Sequence, residues 1–135
     1  MLDPTAFVAD AELVEALTKK AAPFACDTDR VLFRQGDTPA GLFILNGGEV
    51  TLSMYAPSGE TILSFQTSAG SLLGLPGLVS NQPYTLGAVA QAGANISFIN
   101  REAFTAFMNA NPTLALKILQ VLAAEVSAAR RAIPV

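Results

Sequence analysis

The sequence predicts a mainly β fold, a barrel or sandwich, with helices before and after it. Three observations carry this expectation. Between Asp29 and Ile99, short apolar runs alternate with Gly, Pro and Asn turn signals. On either side of that stretch, apolar residues recur at helical spacing instead. And the chain, 135 residues long, 51% hydrophobic and only 14% charged, has the length and apolar content for a single core.

In chain order, Asp3-Pro4 predicts a helix start, with Asp as the cap and Pro in the first turn. A second start lies at Asp10, followed by Leu13, Val14 and Leu17 on one helical face. Lys19 and Lys20 suit the C-terminal end of this helix, and Pro23 stops it soon after. Val31-Leu32-Phe33 then runs into the turn Gln35-Gly36-Asp37, and Gly41 to Leu45 is apolar on both faces before Asn46-Gly47-Gly48. Val50, Leu52 and Met54 alternate with Thr51, Ser53 and Tyr55, the period of a half-buried strand. Pro57-Ser58-Gly59 turns the chain into a return strand from Thr61 to Phe65. A Gly-rich stretch from Gly70 to Gly77 interrupts the pattern, and strands resume around Thr85 to Gln91 and Asn95 to Ile99.

The last third is expected to be helical. Asn100 caps a helix carrying Phe104, Phe107 and Met108, and Asn111-Pro112 starts another that runs to about Arg131. On this last helix Ala115, Leu119, Leu122, Val126 and Ala129 follow spacings of four and three, a heptad-like seam. Leu114, Ile118 and Val121 form a second stripe beside it. Either both stripes pack inside one protomer as a wide core-facing surface, or one covers the barrel and the other pairs with a partner helix. So broad an apolar face is hard to cover internally, and we expect a homodimer through the seam.

The chemical inventory points away from catalysis. The chain has no histidine and one cysteine, Cys26. Triad hydrolysis, an ordinary zinc or non-haem iron site, and an intrachain disulfide are therefore excluded, and no tight acidic pair stands out. Cys26 beside Phe24 and Ala25 is expected to be a small buried hydrophobe, and Glu49 and Glu60 to sit at turns in solvent. A net charge of −3 supplies no basic field for phosphate backbones, so direct nucleic-acid binding is not expected. No signal segment or membrane-length apolar run is present, and a cytoplasmic protein without membrane contact is the default.

Three segments carry a family resemblance: VLFRQGDTPAGLFILNGGEVTL at residues 31 to 52, AGSLLGLPGLVSNQPYTLGAVAQ at 69 to 91, and INREAFTAFMNANP at 99 to 112. In order and spacing they resemble the cyclic-nucleotide-binding domain of Crp/Fnr-superfamily regulators, with Gly36, Gly48 and Gly74 where that family uses turn glycines. The resemblance implies a jelly-roll (double-stranded β-helix) barrel with N-terminal helices and a long C-terminal helix. It divides the chain into a barrel with flanking helices over 1–110 and a dimerisation helix over 111–135, with no DNA-binding domain. It also implies a sensor or signal-transduction role in transcription regulation.

The family's phosphate-binding cassette sets a Glu for the ribose hydroxyl and an Arg for the cyclic phosphate around a short helix. Carried onto this chain, the candidate cassette comprises Gly70, Leu73, Gly74, Leu75, Pro76, Gly77, Leu78, Tyr84 and Thr85. Leu75 falls at the Glu position and Tyr84 at the Arg position, and no charged residue occurs between Glu60 and Arg101. Three readings follow. The cassette could be retuned for an apolar or weakly polar effector, hold no ligand within a dimerising or docking module, or take a cyclic nucleotide through backbone amides and hydroxyls. The docking module ranks first, the apolar effector second; no cofactor is expected beyond that third case.

Overall fold

The computed structural model describes residues 4–132, so the expected cap Asp3 lies outside the described residues, as do the side chains of Ala129, Arg131 and Ala132. Within them, Pro4–Phe7 forms a single 3-10 turn and helix α1 spans Ala11–Lys19. Asp10 caps α1 as its position suggests: its side chain accepts from the Leu13 N–H at 3.0 Å. Leu13 and Leu17, one helical turn apart, are fully buried.

Eight strands follow in two antiparallel four-stranded sheets: β1 (Ala22–Phe24), β2 (Arg30–Phe33), β3 (Gly41–Gly47), β4 (Val50–Tyr55), β5 (Thr61–Thr67), β6 (Leu72–Leu73), β7 (Gly87–Ala90) and β8 (Asn95–Asn100). One sheet has the order β1-β8-β3-β6 and the other β2-β7-β4-β5. This is the jelly-roll arrangement. The expected strand over Thr85 to Gln91 contracts to Gly87–Ala90.

Pro23 does more than stop a helix. It sits inside β1, opposite Ser97 of β8, and β1 is an edge strand, where the missing N–H costs no ladder bond. The Gly-rich stretch likewise holds structure, namely β6 and the short helix α2 (Leu75–Ser80). Gly74 enters α2 at φ +87°, and a Cβ there would also lie 2.7 Å from the Tyr84 ring.

Strand β3 is apolar on both faces because both are buried. Phe43 and Leu45 join the core between the sheets with Leu32, Phe33, Val50, Leu52 and Ile96. Leu42 and Ile44 point the other way, into a second core with Leu13, Leu17, Leu72, Leu75 and Ile99. Helices α3 (Arg101–Ala110) and α4 (Pro112–Ala132) close this second core through Phe104, Phe107, Ile118 and Val121. The Asn100 side chain caps α3, accepting from the Ala103 N–H at 2.8 Å. Lys117 ties α4 to the start of α1 through Asp10 at 2.6 Å.

At Gly41 the chain tolerates no side chain: a Cβ would collide with the Ile99 carbonyl oxygen and lie 2.6 Å from the Phe98 ring. Gly41→Ala should lower stability by about 2–3 kcal/mol, the upper end for forcing atoms into a packed core, as read by the denaturant midpoint.

Candidate functional site

The barrel is not filled to its open end. A cavity of about 710 Å³ lies between the sheets and α4, lined mostly by apolar side chains from six regions of the chain. Phe7 comes from the 3-10 turn, Phe33 from β2, Leu52 and Met54 from β4, and Leu63 from β5. Gly74, Pro76 and Gly77 of the α2 region, with Tyr84, Thr85 and Leu86 after it, form another wall. Glu125, Val126 and Arg130 supply the roof from α4. The size is that of an ordinary small-molecule site, and so is the chemistry, an apolar surface with few polar groups.

Glu125 is the exception in this wall. The residue is only 3% exposed, and neither carboxyl oxygen has a hydrogen-bond partner among the described residues. Desolvation disfavours the ionised form and pushes this carboxyl up to about 9, so it holds its proton at neutral pH. The register of α4 puts it there. Ile118, Val121, Glu125 and Ala128 follow each other at three, four and three residues, and all four are buried.

Tyr84 stacks on Phe33 with ring centroids 3.9 Å apart, and its hydroxyl donates to the Gly41 carbonyl at 3.4 Å. Burial raises its phenol above the ordinary value. Of the candidate cassette residues, Gly74, Pro76, Gly77, Tyr84 and Thr85 line the cavity. Leu73 belongs to the core between the sheets, Leu75 and Leu78 to the second core, and Gly70 packs near Val8. None of these four is among the lining residues. Arg101 donates to the carbonyls of Leu78 in α2 at 3.1 Å and of Pro39 at 3.0 Å.

Of the expected seam on α4, Leu119 and Val126 are about half exposed, Val126 also lining the cavity, Ala115 and Leu122 are half-buried, and the Ala129 side chain lies outside the described residues. Cys26 is buried, and Glu49 and Glu60 are exposed. Among the described residues no cluster of His, Cys, Asp or Glu could hold a metal ion, and no helix is long and apolar enough to cross a membrane.

A sequence profile of the cyclic nucleotide-binding domain matches residues 25–111. The chain belongs to that family. Solved structures agree on the fold of this cyclic nucleotide-binding domain. The catabolite activator protein of Thermus thermophilus superposes with a TM-score of 0.75 at 22% identity, over 95% of this chain and 60% of that one. The c-di-GMP-responsive global regulator CLP of Xanthomonas campestris gives 0.73 at 18% identity, over 87% of this chain and 58% of that one. The N-terminal domain of a transcriptional regulator from Streptomyces coelicolor gives 0.68 at 20%, over 97% and 91%. This chain thus spans about 60% of the length of the Thermus protein. No curated protein matches it. The three structures share the fold of this chain.

Of the two positions that the resemblance aligns with the phosphate-cassette anchors, Leu75 is buried in the second core and Tyr84 is stacked on Phe33. Sequence reasoning found Gly74, Pro76, Gly77, Tyr84 and Thr85 but missed other residues that line the cavity, Glu125 above all. The signal was the apolar stripe Ile118-Val121-Ala128, which an acidic residue interrupts at helical spacing.

The Glu125 carboxyl makes stability depend on pH with a definite sign. Its folded pKa, about 9, lies above the unfolded value near 4.5, so the folded state binds the extra proton between them. Stability is then full below the unfolded pKa and falls as pH rises toward the folded one, by up to about 1.4 kcal/mol per pH unit. Glu125→Gln should flatten that slope in urea titrations run across the neutral and mildly alkaline range.

Proposed function

We propose that this domain is a non-enzymatic sensor whose effector is a largely apolar small molecule held in the cavity beneath α4. One observation carries the reading: the cavity is large, apolar and roofed by the long helix, so an occupant touches barrel and helix together. A docking module without a ligand has no use for such a space. Occupancy that fits one placement of α4 better than another shifts its equilibrium, and α4 passes the change to whatever it contacts.

The outer stripe of α4, over 111 to 131, suits a homodimer. Leu116, Leu119 and Val126 are exposed along it while Ile118, Val121 and Ala128 are spent on the barrel. Two copies joined there would feel each other's effector through the shared helix pair. The domain division at residue 110 has this meaning in our reading: a sensing barrel and a transmitting helix.

Thermal unfolding tests both parts. Two absent charge-assisted bonds, each about 1.5–3 kcal/mol, weaken a cyclic nucleotide by roughly two to four powers of ten. Cyclic AMP and cyclic GMP should therefore leave the midpoint unmoved at concentrations that saturate ordinary family members, and a saturable rise would overturn the effector class. The neutral dye Nile red should bind and brighten, and Leu63→Trp, which fills the cavity, should abolish this. The scattering mass of the wild-type chain should be that of a dimer and halve in Leu119→Asp/Val126→Asp. A monomeric wild type would end the dimer reading.

A further inference from the structure

Resting on that reading of the cavity, we infer that its effector is a hydrophobic organic cation, an amine or amidinium whose N–H groups meet the Glu125 carboxyl. Three features point there. The first is an acid with two free oxygens. Both carboxyl oxygens of Glu125 lie buried at the cavity roof without a protein partner among the described residues. A hydrocarbon occupant would leave them unsatisfied, and an anion would meet only the single O–H of the protonated acid while burying its own charge. A planar amidinium offers two parallel donors to the two oxygens, the arrangement that makes charge-assisted pairs strong.

The second feature is aromatic. Phe7, Phe33 and Tyr84 line the same cavity, and any ring face that Phe33–Tyr84 stacking leaves open attracts a desolvated cation. A neutral amide could also bond the acid, but it would draw nothing extra from these rings. The third is charge. Among the described residues no other acid and no lysine lines the wall, and the one cationic side chain that does, Arg130, is exposed. The buried part of the lining thus presents one acid and three rings.

Proton bookkeeping follows from this arrangement. The free protein holds a proton on Glu125 at neutral pH. A bound cation pairs with the ionised carboxylate, so that proton passes to solvent on binding, and affinity rises with pH toward the folded pKa of the acid. The other titratable groups on the cavity do not imitate this. The Tyr84 phenol is pushed up by burial, away from the range in which Glu125 titrates.

Calorimetric titration of the full chain with a size series of aromatic amidines, each beside its neutral amide isostere, tests the inference. We expect at least one amidine to bind roughly tenfold tighter than its isostere. It should release close to one proton, judged from buffers of different ionisation enthalpy, and tighten between about pH 6 and about pH 8.5. Glu125→Gln should erase the discrimination while Nile red still binds, showing the cavity intact. Equal binding of every pair, discrimination that survives Glu125→Gln, or Nile red binding with no amidine binding would each overturn the inference and leave the cavity reading in place. Absence of binding by Nile red and by every amidine would overturn both.

Discussion

Strand β3 is buried on both faces, and the remaining architecture answers to that constraint. Phe43 and Leu45 need a layer on one side, which the sheet β2-β7-β4-β5 provides. Leu42 and Ile44 need another on the opposite side, which α1, α3 and α4 provide through Leu13, Leu17, Phe104, Phe107 and Ile118. Each such side chain contributes about 1.5–3 kcal/mol on full burial. The helices are therefore part of the core, and a shift of α4 is felt by the strand at its centre.

That coupling is what makes a cavity under α4 useful. Close-packed interiors transmit strain, because side chains cannot slide past one another without changing rotamers. The α4 helix packs its first half on the second core through Ile118 and Val121, and its second half over the open end of the barrel through Glu125 and Ala128. An occupant pressing on the second half acts on a helix whose first half is fixed by packing and by Lys117 to Asp10. The same helix leaves Leu116 and Leu119 exposed, and Val126, about half exposed, also borders the cavity.

Much of this was legible from local rules. Turn glycines at Gly36, Gly48 and Gly59 have positive φ as their positions suggested, and Asp10 and Asn100 cap helices through their side chains. These features are local, set within three or four residues, and a pattern of residue types reports them well. Strand β1 escaped because Pro23 reads as a breaker, and only its place at a sheet edge makes it acceptable. The cassette residues were found as a segment but not sorted. Leu75 and Pro76 are adjacent, yet one enters the second core and the other faces the cavity.

The sequence by itself determined the order and type of most elements, β1, β6 and α2 excepted, the absence of charge across the cassette, and a terminal helix with two apolar stripes. Those properties follow from composition, spacing and caps, each complete within a short stretch of chain. Only the tertiary structure decided which stripe of α4 meets the barrel, and with it that Glu125 faces an apolar cavity with both oxygens unpaired. The physical reason is that a carboxyl's protonation and its partners depend on groups far away in the chain. Phe7, Phe33 and Tyr84 become its neighbours only when two sheets and a helix close around one space.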